Sequence, residues 1–187
     1  MYHLCKRTFI VASFMLIAMS LPLAAANLDS LPSSITEDGV NFERRGLTTF
    51  RWKSIVKVYD IGLYKNAGQK HSAILADEPT RLELRYHRAF SAAEIVKGGD
   101  AILRKNVETS ALAILMPRLA QLNRFYVDVA KGDTYSLTYV PGKGMSLRHN
   151  GRLLTTIPGY DFASIYLRIW LGETPISVDT RDKLVGG

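Results

Sequence analysis

From Arg81 to Arg88 the chain alternates without a break, with Leu82, Leu84 and Tyr86 on one side and Glu83, Arg85 and His87 on the other. A period of two commits this stretch to a strand that is buried on one face and wet on the other. An apolar layer must therefore cover that strand, and the rest of the chain can be read for what supplies it. Ile55–Tyr64, dense in β-branched and aromatic residues, is a second strand. Before it, Val40–Trp52 holds strand-like stretches interrupted by Gly46, and residues 67–72 turn the chain. Further on, Tyr135, Leu137 and Tyr139 alternate with Ser136, Thr138 and Val140, and the Pro-Gly-Lys-Gly of 141–144 makes a turn. Met145–His149 and Arg152–Ile157 flank Asn150-Gly151, a dipeptide suited to the left-handed turn of a tight hairpin.

Between these two groups of strands the period lengthens. Ser91 and Glu94 form a capping box, in which each side chain satisfies a free amide at a helix start. That helix runs towards Lys105 and is weakened by Gly98-Gly99. A second helix, Ser110 to about Phe125, carries Leu112, Leu115, Leu119 and Leu122 on one stripe, and Pro117 is expected to kink it or reset its start. At the C-terminal end Phe162, Ile165, Ile169 and Trp170 form another stripe, Gly172 stops it, and Ser177 starts a short last helix. Residues 27–39 are polar and read as a loose lead-in. Strands, helices, strands and helices in that order indicate an α+β domain with a mainly antiparallel sheet.

The N-terminus carries the three parts of an export signal. Lys6 and Arg7 precede an apolar run from Phe9 to Leu23, and Ala24-Ala25-Ala26 follow. The run is shorter than a spanning helix wants and Pro22 breaks its end. Cleavage after Ala26 is the expectation, giving a signal peptide at 1–26, one domain over 27–187, no transmembrane segment after cleavage, and a periplasmic or secreted location. The single cysteine, Cys5, leaves with the signal, so disulfides, thiol nucleophiles and thiolate metal sites are excluded from the rest. The formal net charge of +7 drops by two on cleavage. Its basic residues form no block, which speaks for a scattered basic surface and against nucleic acid.

Chemistry-bearing motifs are scarce. No Gly-x-Ser-x-Gly elbow, HExxH helix or P-loop occurs, and Gly142-Lys143-Gly144 lacks the third glycine and the helix of a dinucleotide loop. His71, His87 and His149 lie far apart in polar contexts and read as solvated histidines. No carboxylate pairing separates an acid from a base. The residues alone yield a fold class and a compartment, with no catalytic residue, metal site or cofactor.

Three segments, taken in order, carry a resemblance. The first is Arg51 followed by Lys57-Val58-Tyr59-Asp60-Ile61-Gly62-Leu63-Tyr64. The second is Lys131-Gly132-Asp133 with Leu137–Gly144 and Asn150-Gly151, and the third is Gly159–Ala163 leading to Ile169–Gly172, then Pro175 and Ser177. Together they resemble the chalcone-isomerase-like family, specifically its exported bacterial branch. The resemblance implies a large antiparallel sheet with helices layered on one face, an open-faced β-sandwich, and a ligand cleft between the layers. It includes isomerases, fatty-acid-binding proteins and non-catalytic partners of other enzymes. The family arginine that faces an oxyanion or carboxylate matches Arg51. The isomerase threonine falls on Tyr59, its tyrosine, lysine and asparagine near Phe90, Ala93 and Lys97, and its late threonine-methionine pair near Ile169-Trp170. With the arginine kept and the rest replaced, the resemblance implies an exported, non-catalytic binding protein for a hydrophobic carboxylate such as a fatty acid. The alternatives it leaves are an isomerase or intramolecular lyase with Tyr59 as acid, and a protein partner of an envelope enzyme.

The expected ligand contacts are Arg51, Tyr59, Tyr64, Phe90 and Trp170. A guanidinium fork can hold a carboxylate through two charge-assisted bonds of about 1.5–3 kcal/mol each. An acyl tail adds up to ~0.8 kcal/mol per buried methylene, so the tail would dominate affinity and the arginine orientation. Tyr59 and Tyr64 are five apart on one strand and point to opposite faces. Each face mixes apolar and charged residues, Lys57 on one and Asp60 on the other, so periodicity leaves open which tyrosine meets the cleft.

Overall fold

The protein is described from a computed structural model covering residues 31–68 and 73–186. The expected signal segment and His71 lie outside the described residues. Seven strands form one antiparallel sheet in sequential order: β1 (Ser34–Glu37), β2 (Val40–Trp52), β3 (Val56–Asn66), β4 (Thr80–Tyr86), β5 (Thr134–Val140), β6 (Gly144–His149) and β7 (Arg152–Ile157). Helices α1 (Ala92–Asn106) and α2 (Thr109–Asn123) separate β4 from β5. Helices α3 (Tyr160–Tyr166), α4 (Arg168–Leu171) and α5 (Val178–Val185) follow β7.

The alternation of β4 sorts its two faces as the sequence indicates. Leu82, Leu84 and Tyr86 join the main core with Tyr135, Leu137 and Tyr139 of β5, and Leu103, Leu115, Leu119, Phe162 and Ile169 from the helices complete it. This is the apolar layer that the half-buried strands require, and it places the α+β helices on one face of the sheet. The other face is polar, with a small apolar cluster of Phe42, Tyr64 and Val140. There the buried Arg81 guanidinium donates to Glu37 at 2.6 Å, to Glu83 at 3.0 Å and to the Thr138 hydroxyl at 2.7 Å, so its burial is compensated.

Local signals hold at most element ends. Ser91 caps α1 with the full capping box, Gly172 ends α4 and Ser177 caps α5. Asn150 and Gly151 take φ values of 49° and 78°, the left-handed turn expected of that hairpin. Three expectations need correction. Residues 34–37 are a strand paired with β2 and not loose; the signal for it was Asp38-Gly39, whose φ values of 52° and 81° close a tight hairpin. Gly46 does not interrupt β2, which bulges at Arg45 and continues. A Cβ at Gly46 would collide with the Leu184 backbone, so the glycine admits α5 against the sheet. Pro117 does not reset the start of α2, which runs through it from Thr109 to Asn123, and the Ala113 carbonyl left without its amide partner belongs to an exposed residue, which water can serve.

Candidate functional site

A cavity of about 540 Å³ lies between the sheet and helices α1, α3 and α4. The sheet lines it with Phe50, Val56, Val58, Tyr59, Leu84, Tyr86 and Leu137, and the helices with Ile95, Ile102, Tyr166, Ile169 and Trp170. Two glycines make room on the helical side. Gly98 and Gly99 line the cavity in mid-α1; a Cβ at Gly98 would meet nothing within 4 Å, and one at Gly99 would touch Ile169 Cδ1 at 3.4 Å. The pair that weakens α1 as a helix is thus what keeps the space beside it open.

A β-bulge decides which side chains reach the cavity. Phe50 pairs with Tyr59 but Arg51 pairs with Lys57, so Val58 is an extra residue on β3. The bulge resets the alternation. Tyr59 and Val56 both face the helices, whereas Arg51 and Lys57 are exposed and absent from the cavity lining. This removes the conflict that put Lys57 on the Tyr59 face. Tyr64 stands on the opposite face with Phe42, its hydroxyl donating to the Pro32 carbonyl at 2.8 Å, and burial pushes that hydroxyl up to about 12. Of the five residues singled out from the sequence, the fold brings Tyr59, Phe90 and Trp170 together around the cavity. Arg51 and Tyr64 stand outside it, the Arg51 side chain making no hydrogen bond or ion pair among the described residues.

Aromatic rings form the wall. Tyr59 packs on Phe50 at 5.1 Å between centroids and edge-on to Tyr86 at 5.6 Å, and Tyr86 in turn meets Phe90 at 5.9 Å. A two-residue bridge between Phe90 and Val129 holds that last ring in place. Trp170 Nε1 donates to the Tyr59 hydroxyl at 3.1 Å, and the Tyr126 and Tyr166 hydroxyls share a hydrogen bond at 2.8 Å. Each hydroxyl also carries a proton of its own. Tyr59 accepts from Trp170 without passing a proton on among the described residues, and the Tyr86 hydroxyl makes no hydrogen bond there. The Tyr59 and Tyr86 hydroxyls therefore each keep a proton free to donate to a bound polar group. Desolvation pushes the Tyr59, Tyr86, Tyr126 and Tyr166 hydroxyls well above the ordinary phenol value, so all four stay neutral donors at physiological pH.

The mouth is different. Arg88 lines it with an exposed side chain and no ion pair or hydrogen bond among the described residues, and it is the one cation in the lining. Glu94 also lines the cavity, but its carboxylate accepts from the Ser91 amide at 2.8 Å and hydroxyl at 2.7 Å, bonds that hold it below the usual carboxylate range. Arg88 escapes a reading of the sequence because it simply ends an alternating strand; nothing in its spacing marks it as facing a cavity.

Away from the cleft, the histidines read as solvated each face an acid. His87 Nε2 lies 2.9 Å from Asp60, which also accepts from Thr49 at 2.6 Å, and His149 Nε2 lies 3.4 Å from Asp133. Strand pairing brings the first pair together: Asp60 sits opposite Arg85 on β4, two residues before His87. Among the described residues no three His, Cys, Asp or Glu side chains gather as a metal site.

A family model described as chalcone isomerase-like matches residues 27–186. No curated protein matches the sequence. Among solved structures, the crystal structure of a fatty-acid binding protein from Arabidopsis thaliana superposes with a TM-score of 0.59 at 15% identity, covering 83% of this chain and 90% of that one. That likeness shows a shared fold.

Proposed function

The chain belongs to the chalcone isomerase-like family, and on that footing we propose that it is an exported, non-catalytic binding protein for a hydrophobic carboxylate of the fatty-acid type. One observation carries this reading: a cavity of about 540 Å³, walled by apolar and aromatic side chains, with an unpaired arginine at its mouth. The volume falls within the range of small-molecule sites. An acyl tail would be buried among Tyr59, Leu84, Ile95, Ile169 and Trp170 at up to ~0.8 kcal/mol per methylene. Its carboxylate would stay at the wet end, where the Arg88 fork can take both oxygens without dragging a charge into the apolar interior. Arg88 then has the role that the family resemblance assigned to Arg51. The fatty-acid binding protein of Arabidopsis thaliana, built on the same fold, supports the ligand class. The export part of the reading rests on the N-terminal sequence.

Burial of Tyr59 favours binding over an acid step. Its hydroxyl is pushed up, so it holds its proton as a hydrogen-bond donor and gives it away poorly near neutrality. The test is solvent extraction and mass spectrometry of the purified protein beside Arg88→Ala and Arg51→Ala. Fatty acid near stoichiometry in the wild type, depleted in Arg88→Ala and kept in Arg51→Ala, is the expected pattern. Depletion in Arg51→Ala alone would return the head group to Arg51, and a ligand-free wild type would refute the carrier.

A further inference from the structure

The β2–β3 hairpin ends in a run of exposed residues, Arg51 to Ile55. Trp52 is 56% exposed and Ile55 77% exposed, the latter among the most solvent-open large apolar side chains of the fold. Lys53 and Ser54 turn the chain with φ values of 48° and 63°, and the Lys53 ammonium sits 4.5 Å over the Trp52 ring. Arg51 and Lys57 are cross-strand partners at the base of this tip. The hairpin is also continuous with the cavity: Trp52 and Val56 line it together with Arg88. Arg51, Lys53 and Lys57 thus share one hairpin with the exposed Trp52 and Ile55, and Arg88 joins Trp52 in the cavity lining. Glu94, the one acid in the lining among the described residues, is held by its own capping box.

We propose that this hairpin tip docks the mouth of the cavity onto an anionic phospholipid bilayer. Tryptophan and isoleucine at the tip enter the headgroup boundary, where an amphipathic ring is favoured. The surrounding lysine and arginines meet the negative surface potential, each worth roughly a fivefold change in partitioning. Charge complementarity selects this occupant over a protein groove: residues 51–57 carry three cations and no acid beside the exposed Trp52 and Ile55. Docking here would open the cavity towards the acyl phase. The docking itself does not depend on the ligand, and only its use for loading rests on the reading above.

The experiment is sedimentation of the purified protein with vesicles of phosphatidylglycerol mixed with phosphatidylcholine, compared with phosphatidylcholine alone. Partitioning is expected to favour the anionic vesicles and to weaken as salt is added. The combined variant Arg51→Glu, Lys53→Glu, Lys57→Glu, none of which lines the cavity, should lose roughly a hundredfold or more. Brominated lipid should quench the tryptophan fluorescence of the wild type but not of Trp52→Phe, whose remaining Trp170 is buried. Fatty-acid affinity in lipid-free solution, measured on the same combined variant, should stay at the wild-type value and shows that the cavity is intact. Equal binding to both vesicle types, binding that survives the three reversals, or quenching that persists in Trp52→Phe would each overturn the docking. A failed fatty-acid measurement in the wild type would overturn the ligand reading and leave the vesicle result standing.

Discussion

Replacing Gly98 with leucine should raise stability and lower ligand affinity at the same time. Gly98 lies in the middle of α1, where leucine is better than glycine by about 0.8 kcal/mol of helix propensity. Gly98 lines the cavity and a Cβ there would meet nothing within 4 Å, so the new side chain is expected to extend into that space. Four added carbons would occupy the length of about four methylenes of a linear tail. At ~0.8 kcal/mol each, the loss is about 3 kcal/mol, or roughly a hundredfold in Kd. For a domain of this size the propensity gain raises Tm by about 2–3 °C. Thermal unfolding and calorimetric titration with a saturated long-chain fatty acid read the two effects, with Gly98→Ala as the control that changes the helix but barely fills the space. Unchanged affinity in Gly98→Leu would show that no tail lies against α1, and a fall in Tm would show that the space beside Gly98 is not open. Either result refutes the account of why two glycines stand in that helix.

Two further outcomes test the frame around the cavity. Tyr59, Tyr86, Tyr126 and Tyr166 are all pushed up by burial, so the folded state keeps phenol protons that the unfolded chain releases near pH ~10. Their contribution is fully present below about pH 10 and is lost as pH rises beyond it, so unfolding free energy should fall steeply on the alkaline side; phenolate absorbance of these tyrosines appearing near the ordinary value with the fold intact would contradict it. Gly46→Ala should destabilise by about 1–3 kcal/mol in urea unfolding, because a Cβ there meets the Leu184 backbone; an unchanged midpoint would mean that α5 does not need that contact.

Local spacing was enough to read the strands, the capped helices, the Asn150-Gly151 hairpin and the α+β class, because each depends on neighbours within a few residues. The period-two face of β4 and the capping box at Ser91 are physical statements about one strand edge and one helix start, and tertiary packing had only to agree with them. The cleft was legible in part. Phe90 and Trp170 reach it, and the resemblance chose Tyr59 over Tyr64 where alternation could not, since one extra residue at Val58 resets the faces of β3. Only the assembled sheet and helices bring Arg88 to the mouth and turn Gly98 and Gly99 into open space. Those features depend on which distant side chains share a surface, and that is set by register and packing between elements, which no short-range pattern encodes.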